Sequence, residues 1–271
     1  MTEGVTGGRF KVGAWYVSED RNTPYDGSTE TENPHNERTR IRVPLLTVDA
    51  RFSDQVGIQA AVTIPDVTRT ATNFRETFSG LGDTSIIGWY RLRPIRRWYV
   101  VVNVGASLPT GKTEPPRFRS ELQDGDLVPL SRLQRGSGTF DPLFGASVTR
   151  VVRGMTVFSS AAARTPLYEN GTGLRTGASS EVNGGAAHEV RTHRITAFGR
   201  VGWLHRQQDA FQGIPVLVGG GNWIYVTPGV DVQIGAGVNI QAEVKLPVHR
   251  ALANRQLDST AVLQFGISRS F

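Results

Sequence analysis

The chain has 271 residues, of which 38% are hydrophobic and 31 are glycine, and its formal net charge is +6. It contains no cysteine, which excludes disulfide bonds, thiolate catalysis and cysteine-based zinc sites. No apolar run approaches the roughly 20 residues that a membrane-spanning helix needs. The basic residues are almost all arginines scattered among acidic residues, a distribution that argues against nucleic-acid binding.

Apolar and polar residues alternate with a period of two in several long segments, most regularly in 56–64, 100–108 and 235–247. This period is typical of amphipathic β-strands. In chain order, the same template predicts twelve strands, over residues 9–17, 38–52, 56–69, 82–93, 97–109, 138–150, 155–167, 180–191, 194–207, 221–232, 236–247 and 257–271.

Short and long connections between these strands alternate along the whole chain. Short turns fall near 53–55, 93–96, 152–154, 192–193 and 233–234, and long polar loops span 18–37, 70–81, 110–137, 168–179, 208–220 and 248–256. Bacterial transmembrane barrels have an even number of strands, with tight turns at one end and extended loops at the other. The sequence therefore predicts an all-β fold, one transmembrane barrel domain of twelve antiparallel strands over residues 1–271.

Alternation alone also fits a soluble closed barrel, whose apolar face would point inward. The alternating loop lengths favour the membrane barrel, in which apolar side chains face lipid and polar side chains face the lumen. The lumen-lining residues that this arrangement predicts are Lys11, Asp49, Arg51, Gln59, Asp83, Arg91, Asn103, Asp141, Arg200, Tyr225, Asp231, Asn239, Gln241, Glu243, Lys245, Asp258 and Gln264. Twelve strands enclose more space than the eight whose interior side chains just fill a barrel. A solute path is therefore predicted, and a packed interior that only stabilises the barrel is the other interpretation.

The two predicted ends of the barrel differ in charge. Arginines such as Arg93, Arg153 and Arg269 gather at the short turns, whereas the long loops hold most of the acidic residues. Arginines at a membrane rim can contact anionic phospholipid headgroups, and a solvated rim without a partner is the other interpretation. The lipid bilayer and lipopolysaccharide are the partners expected of an outer-membrane barrel. Aromatic girdles are predicted from Phe52, Trp89, Tyr90, Trp98 and Tyr99 at the turn end and from Trp15, Tyr16, Tyr168, Trp203, Trp223 and Tyr225 at the loop end.

Several short motifs follow one another from about residue 80 onward. They are Gly82-Asp83 leading into Trp89-Tyr90-Arg91-Leu92, Leu108-Pro109-Thr110-Gly111-Lys112, Gly136-Ser137-Gly138 before Asp141, Tyr225-Val226-Thr227-Pro228-Gly229, Lys245-Leu246-Pro247-Val248 and the terminal Phe265-Gly266-Ile267-Ser268-Arg269-Ser270-Phe271. By their order and spacing the chain resembles the bacterial outer-membrane β-barrels of the meta-pathway phenol-degradation (MetA-pathway) transporter family. The resemblance implies a transport barrel. The solute named for that family is inferred from neighbouring genes, so the resemblance implies no particular solute.

The C-terminus resembles the signal that the outer-membrane insertion machinery reads during biogenesis. Its candidate residues are Phe265, Ile267 and Phe271, and Arg269 stands where an aromatic residue is common. The N-terminal segment MTEGVTGGRF has no apolar core of a secretory signal. We expect a mature bacterial outer-membrane protein, from which the signal peptide is absent.

The motifs that could indicate catalysis or nucleotide binding are weak. Residues 106–113 form a relaxed phosphate-loop pattern, but Pro115 and Pro116 follow where the required helix would begin. Ser147 with His188 or His205 is the nearest approach to the Ser/His pair of an outer-membrane phospholipase, and it lies on no recognisable motif. No catalytic residue, metal site or cofactor is therefore predicted.

The function that the sequence predicts is a passive channel for small solutes, aromatic or otherwise weakly polar. The longest loop, 110–137, is expected to fold over the mouth as a constriction lined by Pro115, Pro116, Phe118, Leu122 and Leu127. The alternative is a non-conducting scaffold whose extracellular loops bind a partner.

Overall fold

Twelve long strands dominate the computed structural model. It describes residues 9–94, 97–113, 135–190, 194–216, 219–235 and 237–271, except the side chain of Phe74, and the backbone of two short strands, Arg117–Arg119 and Leu127–Pro129. The long strands are β1 Phe10–Asp26, β2 Arg38–Arg51, β3 Val56–Thr63, β4 Thr84–Arg91, β5 Trp98–Leu108, β6 Asp141–Val152, β7 Met155–Arg164, β8 Ser179–Val190, β9 Ile195–Arg206, β10 Gly221–Ile234, β11 Val238–Leu252 and β12 Gln256–Ser270.

The twelve strands close into a barrel. Each strand pairs antiparallel with its neighbours in chain order, and β1 pairs with both β2 and β12. The first and last strands meet where the backbone N–H of Phe271 donates to the carbonyl oxygen of Phe10, at 2.8 Å. The predicted all-β, twelve-stranded antiparallel barrel is confirmed. None of the described residues belongs to a helix that could cross a membrane.

The connections at the two ends have unequal lengths. The turn end carries residues 52–55, 92–97, 153–154, 191–194 and 235–237, and the loop end carries 27–37, 64–83, 109–140, 165–178, 207–220 and 253–255. The last loop-end connection is thus a three-residue turn, and the long loop predicted over 248–256 is wrong.

Three strands extend beyond their predicted ends, and one physical reason accounts for all three. β1 continues to Asp26, β11 continues to Leu252, and β12 begins at Gln256, all within segments predicted as loops. A hairpin of Asp66–Ala71 and Phe74–Ser79 also extends the wall by pairing with the start of β2. Beyond the apolar band the outer face of a strand need not be apolar, so its pairing persists without the alternation that predicted it.

The outer face of the barrel is apolar. Every strand presents at least one exposed large apolar side chain, and examples in chain order are Phe10, Leu46, Ile58, Ile86, Val104, Phe144, Met155, Val182, Val201, Val226, Leu246 and Phe265. Soluble proteins rarely expose apolar patches larger than a few hundred Å². Outward Asp, Glu, Lys and Arg residues of the described strands lie to either side of an uncharged band, with Asp20 and Arg42 towards the loop end and Arg150 towards the turn end.

The inner face is polar, and several of its polar side chains are buried. They include Thr149, Thr227, Gln241, Glu243 and Asp258, each at most 6% exposed. The alternative soluble barrel, with apolar residues inside, is therefore wrong for this chain.

Part of the predicted aromatic girdle is wrong. Tyr90, Trp98 and Trp203 lie on the outer face, but Trp15 and Trp89 point into the lumen. Trp223 and Tyr225 are also turned inward, where they pack with Tyr25 and Leu252 in a small apolar cluster. Side chains alternate in direction along a strand, and each of these four rings lies on the same face as the inward residues of the neighbouring strands.

Candidate solute path in the barrel lumen

The structure places most of the predicted lumen-lining residues on inward strand positions. These are Lys11, Asp49, Arg51, Gln59, Arg91, Asn103, Arg200, Tyr225, Asp231, Asn239, Gln241, Glu243, Lys245, Asp258 and Gln264. Asp83 and Asp141 lie instead at the loop end, among residues that join the long loops to the wall. A role in solute passage remains a prediction for all of them.

One side of the lumen, formed by β8 to β12 and β1, is a charged wall of paired side chains. Arg200 on β9 donates to Glu243 on β11 at 2.6 Å. Lys245 contacts Glu181 on β8 at 3.2 Å and lies 4.2 Å from the centroid of the Tyr225 ring. These pairs join strands that are not adjacent, because side chains of this length reach across the curved wall.

The charged wall continues towards the loop end through residues that the sequence pattern did not indicate. Arg21 pairs with Glu19 at 2.6 Å on β1, and Arg250 pairs with Asp258 at 3.0 Å. The indole N–H of Trp223 donates to Asp258 at 2.9 Å. The segments 18–37 and 248–256 were predicted as loops, so Glu19, Arg21 and Arg250 were not assigned to the lumen. The sequence signal that could have assigned them to the lumen is their opposite charge at positions that strand pairing brings close together.

The four ion pairs of the charged wall are electrically balanced. Their carboxylates are Glu19, Glu181, Glu243 and Asp258, and their cations are Arg21, Arg200, Lys245 and Arg250. Such pairing avoids leaving an uncompensated charge in the interior. The wall therefore offers a solute local dipoles rather than a single net charge.

The opposite side of the lumen, formed by β3 to β7, is an uncharged wall between its two ends. A cavity of about 300 Å³ lies against it. Its apolar lining includes Ile87, Trp89, Leu143, Ala162 and Leu204, and its polar lining includes Gln59, Asn103, Arg164, Ser179 and Glu181. The volume is at the lower limit of the range that small-molecule sites occupy.

Inward aromatic rings lie over glycines of the adjacent strand. A Cβ built on Gly57 would lie 2.2 Å from the Trp89 ring, and one on Gly266 would lie 2.2 Å from the Trp15 ring. Phe198 covers Gly229 and Phe158 covers Gly185 in the same way. Because glycine has no side chain, these rings can lie directly against the wall of the barrel.

The motifs Gly82-Asp83, Thr110-Gly111-Lys112 and Gly136-Ser137-Gly138 meet in one loop joint. Asp83 accepts hydrogen bonds from the backbone N–H of Ser137 at 2.6 Å and of Gly111 at 3.2 Å. A Cβ on Gly111 would lie 2.7 Å from the Cα of Gly136. The glycines therefore allow three backbone segments to touch, and Asp83 holds both ends of the longest loop.

Asp141 makes the second attachment at the loop end. It is fully buried, receives a hydrogen bond from Thr139 at 2.5 Å and pairs with Arg164. Its oxygens are thus occupied by the protein. Asn170, which is buried beneath the same loop, donates to the carbonyl oxygen of Ser137 at 2.9 Å.

The side chains predicted to form the constriction, those of Pro115, Pro116, Phe118, Leu122 and Leu127, lie outside the described residues. The described backbone of this loop contains the short strands Arg117–Arg119 and Leu127–Pro129, which pair antiparallel.

The candidate catalytic groups are not brought together. Ser147 faces the lumen, opposite Ser160 of the next strand, whereas His188 and His205 lie on the outer face. Nδ1 of His205 contacts Asn222 at 2.9 Å. The phosphate-loop pattern runs from the end of β5 into the loop joint, where its Gly111 N–H binds Asp83. Among the described residues no group of three or more His, Asp or Glu side chains is placed to hold a metal ion.

Comparison with solved structures shows which known proteins share this fold. No protein-family model matches the sequence, and no curated protein matches it. An outer membrane channel from Pseudomonas putida F1 superposes with a TM-score of 0.76 at 12% identity, over 99% of this chain and 97% of that one. The chain has the fold of outer-membrane barrels.

Other solved barrels superpose less closely. The translocator domain of the autotransporter NalP from Neisseria meningitidis has a TM-score of 0.56 at 11% identity, over 98% of this chain and 90% of that one. The KdgM porin has a TM-score of 0.50 at 8% identity, over 96% and 99% of the two chains. At identities this low, the superpositions show a shared architecture and do not identify a solute.

Proposed function

We propose that the protein is an outer-membrane channel through which small solutes pass passively. The observation that carries the proposal is a cavity of about 300 Å³ inside a closed barrel whose outer face is apolar and whose inner face is polar. A bilayer solvates the outer face, and the lumen then becomes the hydrophilic route across it. The proposal includes the lipid bilayer as partner and the insertion machinery as the reader of Phe265, Ile267 and Phe271.

The two walls suggest the chemistry of the solute. Trp89, Ile87 and Leu143 on the uncharged wall offer planar and aliphatic contacts, while Asn103 and Gln59 offer amide hydrogen bonds. The charged wall opposite contributes oriented pairs of alternating sign. We propose a small solute with a flat apolar part and one polar group, for which the two walls are complementary.

The similarity in fold to the Pseudomonas putida channel, which spans 99% of this chain, supports a transport role. It also agrees with the motif resemblance to the MetA-pathway transporter family, and membership of that family is part of this proposal.

A matched pair of substitutions tests the solute path. Ala162→Trp places an indole in the cavity, and Ala161→Trp places it on the outer face of the same strand, where lipid accommodates it. In liposome-swelling assays with sugars, amino acids and aromatic acids, wild type and Ala161→Trp should admit small solutes, and Ala162→Trp should slow them severalfold. Equal rates for the two variants would place the path elsewhere.

If liposomes that contain the wild-type protein do not swell with any solute, this would support the alternative function, a barrel that conducts nothing and binds a partner through its loops. One observation favours it. Leu174 and Val216 are buried against each other with Phe211, so two long loops form a small packed unit of their own.

The constriction proposed for loop 110–137 has a separate test. Deletion of residues 114–134 leaves the Asp83 joint in place and should change single-channel conductance in planar bilayers. Unchanged conductance would refute the constriction and leave the lumen proposal intact.

A further inference from the structure

Three successive turns at the turn end place an arginine in the left-handed region of the backbone. The φ angles are 68° at Arg97, 49° at Arg153 and 52° at Arg194. These turns join β4 to β5, β6 to β7 and β8 to β9, which are consecutive strands around the barrel. All three arginines are exposed.

Left-handed backbone favours glycine, asparagine or aspartate over arginine. Arg153-Gly154 is a two-residue hairpin turn in which both φ angles are positive, 49° and 82°, and such turns prefer Asn-Gly or Asp-Gly. The chain thus keeps arginine at three positions where the backbone favours other residues. Local conformation does not account for arginine at these positions, which points to a use for the charge.

Two further arginines belong to the same sector of the rim. Arg93 is exposed in the first of the three turns, and Arg150 lies on the outer face of β6. None of the five arginines takes part in an ion pair among the described residues. The neighbouring turn differs, because there Arg51 lies 4.0 Å from Asp54.

The position of Arg150 indicates the level of these arginines along the barrel axis. Its guanidinium carbon lies 5.0 Å from the centroid of the Trp98 ring, on the strand next to it. Its Nε atom is buried and has no hydrogen-bond partner in the protein. Outward tryptophans sit at the level of lipid headgroups, so the guanidinium of Arg150 lies at the level of the headgroups.

We propose that Arg93, Arg97, Arg150, Arg153 and Arg194 form an arginine arc that binds the anionic headgroups of phospholipids in the leaflet at the turn end. Guanidinium groups bind phosphate through paired hydrogen bonds. Strand spacing puts successive turns roughly 10 Å apart along the rim, so more than one phosphate can lie against the arc. Glu189 is an exposed acidic residue in the same sector, and it leaves the arc strongly cationic. The inference rests on the membrane placement proposed above.

The triple variant Arg97→Gly, Arg153→Gly and Arg194→Gly tests the arc. It removes three charges and at the same time gives the backbone the residue that positive φ favours, so we expect it to fold. The measurement is the dissociation constant for phosphatidylglycerol and for phosphatidylcholine, by native mass spectrometry of the purified barrel in a neutral detergent. Wild type should prefer phosphatidylglycerol. The triple variant should bind it roughly a hundredfold more weakly, at about fivefold per basic residue.

Two controls separate charge from backbone. Gln212→Gly relieves the same kind of strain, at a φ of 50° in a loop-end turn, and should leave lipid affinity unchanged. The triple Arg→Lys variant keeps the charge and should keep most of the preference. Equal affinity of wild type for the two lipids would overturn the proposal, as would a loss in Gln212→Gly equal to that in the triple variant. A wild type that stays folded in water without detergent would instead refute the membrane placement, before any lipid is added.

Discussion

At the scale of single residues, the ion pairs of the charged wall are expected to affect both the stability of the barrel and, under the proposed function, its ion selectivity. Glu243 is 4% exposed and binds both Arg200, at 2.6 Å, and Gln241, at 3.3 Å. Replacement by glutamine leaves the Arg200 guanidinium without its counter-charge. We expect Glu243→Gln to lower the free energy of unfolding in lipid vesicles by about 3 kcal/mol, measured by urea titration with tryptophan fluorescence. The channel should also become more permeable to anions, measured as a shift in reversal potential.

The double variant Glu243→Gln with Arg200→Gln is the control for this prediction. It removes both charges, so it should regain part of the lost stability. Strictly additive losses would mean that the two side chains are not energetically coupled.

A second prediction at this scale concerns the ring that lies over Gly57. An alanine Cβ at this position would come within 2.2 Å of the Trp89 ring and 2.7 Å of the Ala50 carbonyl oxygen, so the ring must move towards the lumen. Gly57→Ala should therefore reduce single-channel conductance and lower the free energy of unfolding by about 1–3 kcal/mol.

Gly199→Ala is the matched control for Gly57→Ala, because a Cβ at Gly199 meets nothing within 4 Å on the outer face. Conductance should match that of wild type in this variant. If Gly57→Ala also conducts normally, the Trp89 ring does not border the solute path.

At the scale of elements, Asp83 ties the longest loop to the wall. Its carboxylate accepts the backbone N–H groups of Gly111 and Ser137 as well as the Ser137 hydroxyl, at 2.6–3.2 Å. Asparagine cannot accept at both positions. Because a hydrogen bond to a charged group contributes about 1.5–3 kcal/mol, Asp83→Asn should speed amide exchange at Gly111 and Ser137 roughly ten- to hundredfold. Hydrogen exchange read by mass spectrometry measures this.

Asp54→Asn provides the comparison for Asp83→Asn. The Asp54 side chain is 95% exposed in a turn-end connection, so its replacement should not change exchange in the loop. Unchanged protection of Gly111 and Ser137 in Asp83→Asn would show that the glycine contacts alone hold the joint.

The elements that the sequence predicted best are those with lipid on one face and lumen on the other. In β11, Val238 to Leu246 alternate outward with Asn239 to Lys245 inward, as predicted, because the apolar stripe there faces outward along its whole length. The end of β1 could not be predicted in this way. Its residues Glu19 to Thr23 are polar on both faces and adopt strand conformation because β2 and β12 supply pairing partners.

In the candidate solute path, too, the sequence predicts some features and not others. The inward direction of Asn103 or Gln241 follows from alternation. The partners of these side chains depend on which strands face each other across the barrel, and local sequence does not contain that information. Lys245 thus pairs with Glu181, 64 residues away in sequence, which the charge pattern alone could not assign.

At the scale of the whole molecule, the barrel depends on its two faces meeting two different solvents. Val104 and Asn103 are neighbours near the middle of β5, and they point outward and inward respectively. Val104 is 60% exposed on the outer face, and Asn103 borders the cavity. The same substitution at these two positions therefore compares the two environments within one strand.

Val104→Arg should lower the free energy of unfolding in vesicles by about 2–4 kcal/mol, the cost of a basic side chain at the middle of the lipid-facing band. Asn103→Arg should fold with nearly wild-type stability, because the cavity beside it has room and polar partners. It should instead reduce solute flux and shift the reversal potential towards anions. Urea titration and planar-bilayer recording measure the two effects. If Val104→Arg cost nothing while Asn103→Arg were strongly destabilising, the outer face would lie in water and the barrel would not span a bilayer.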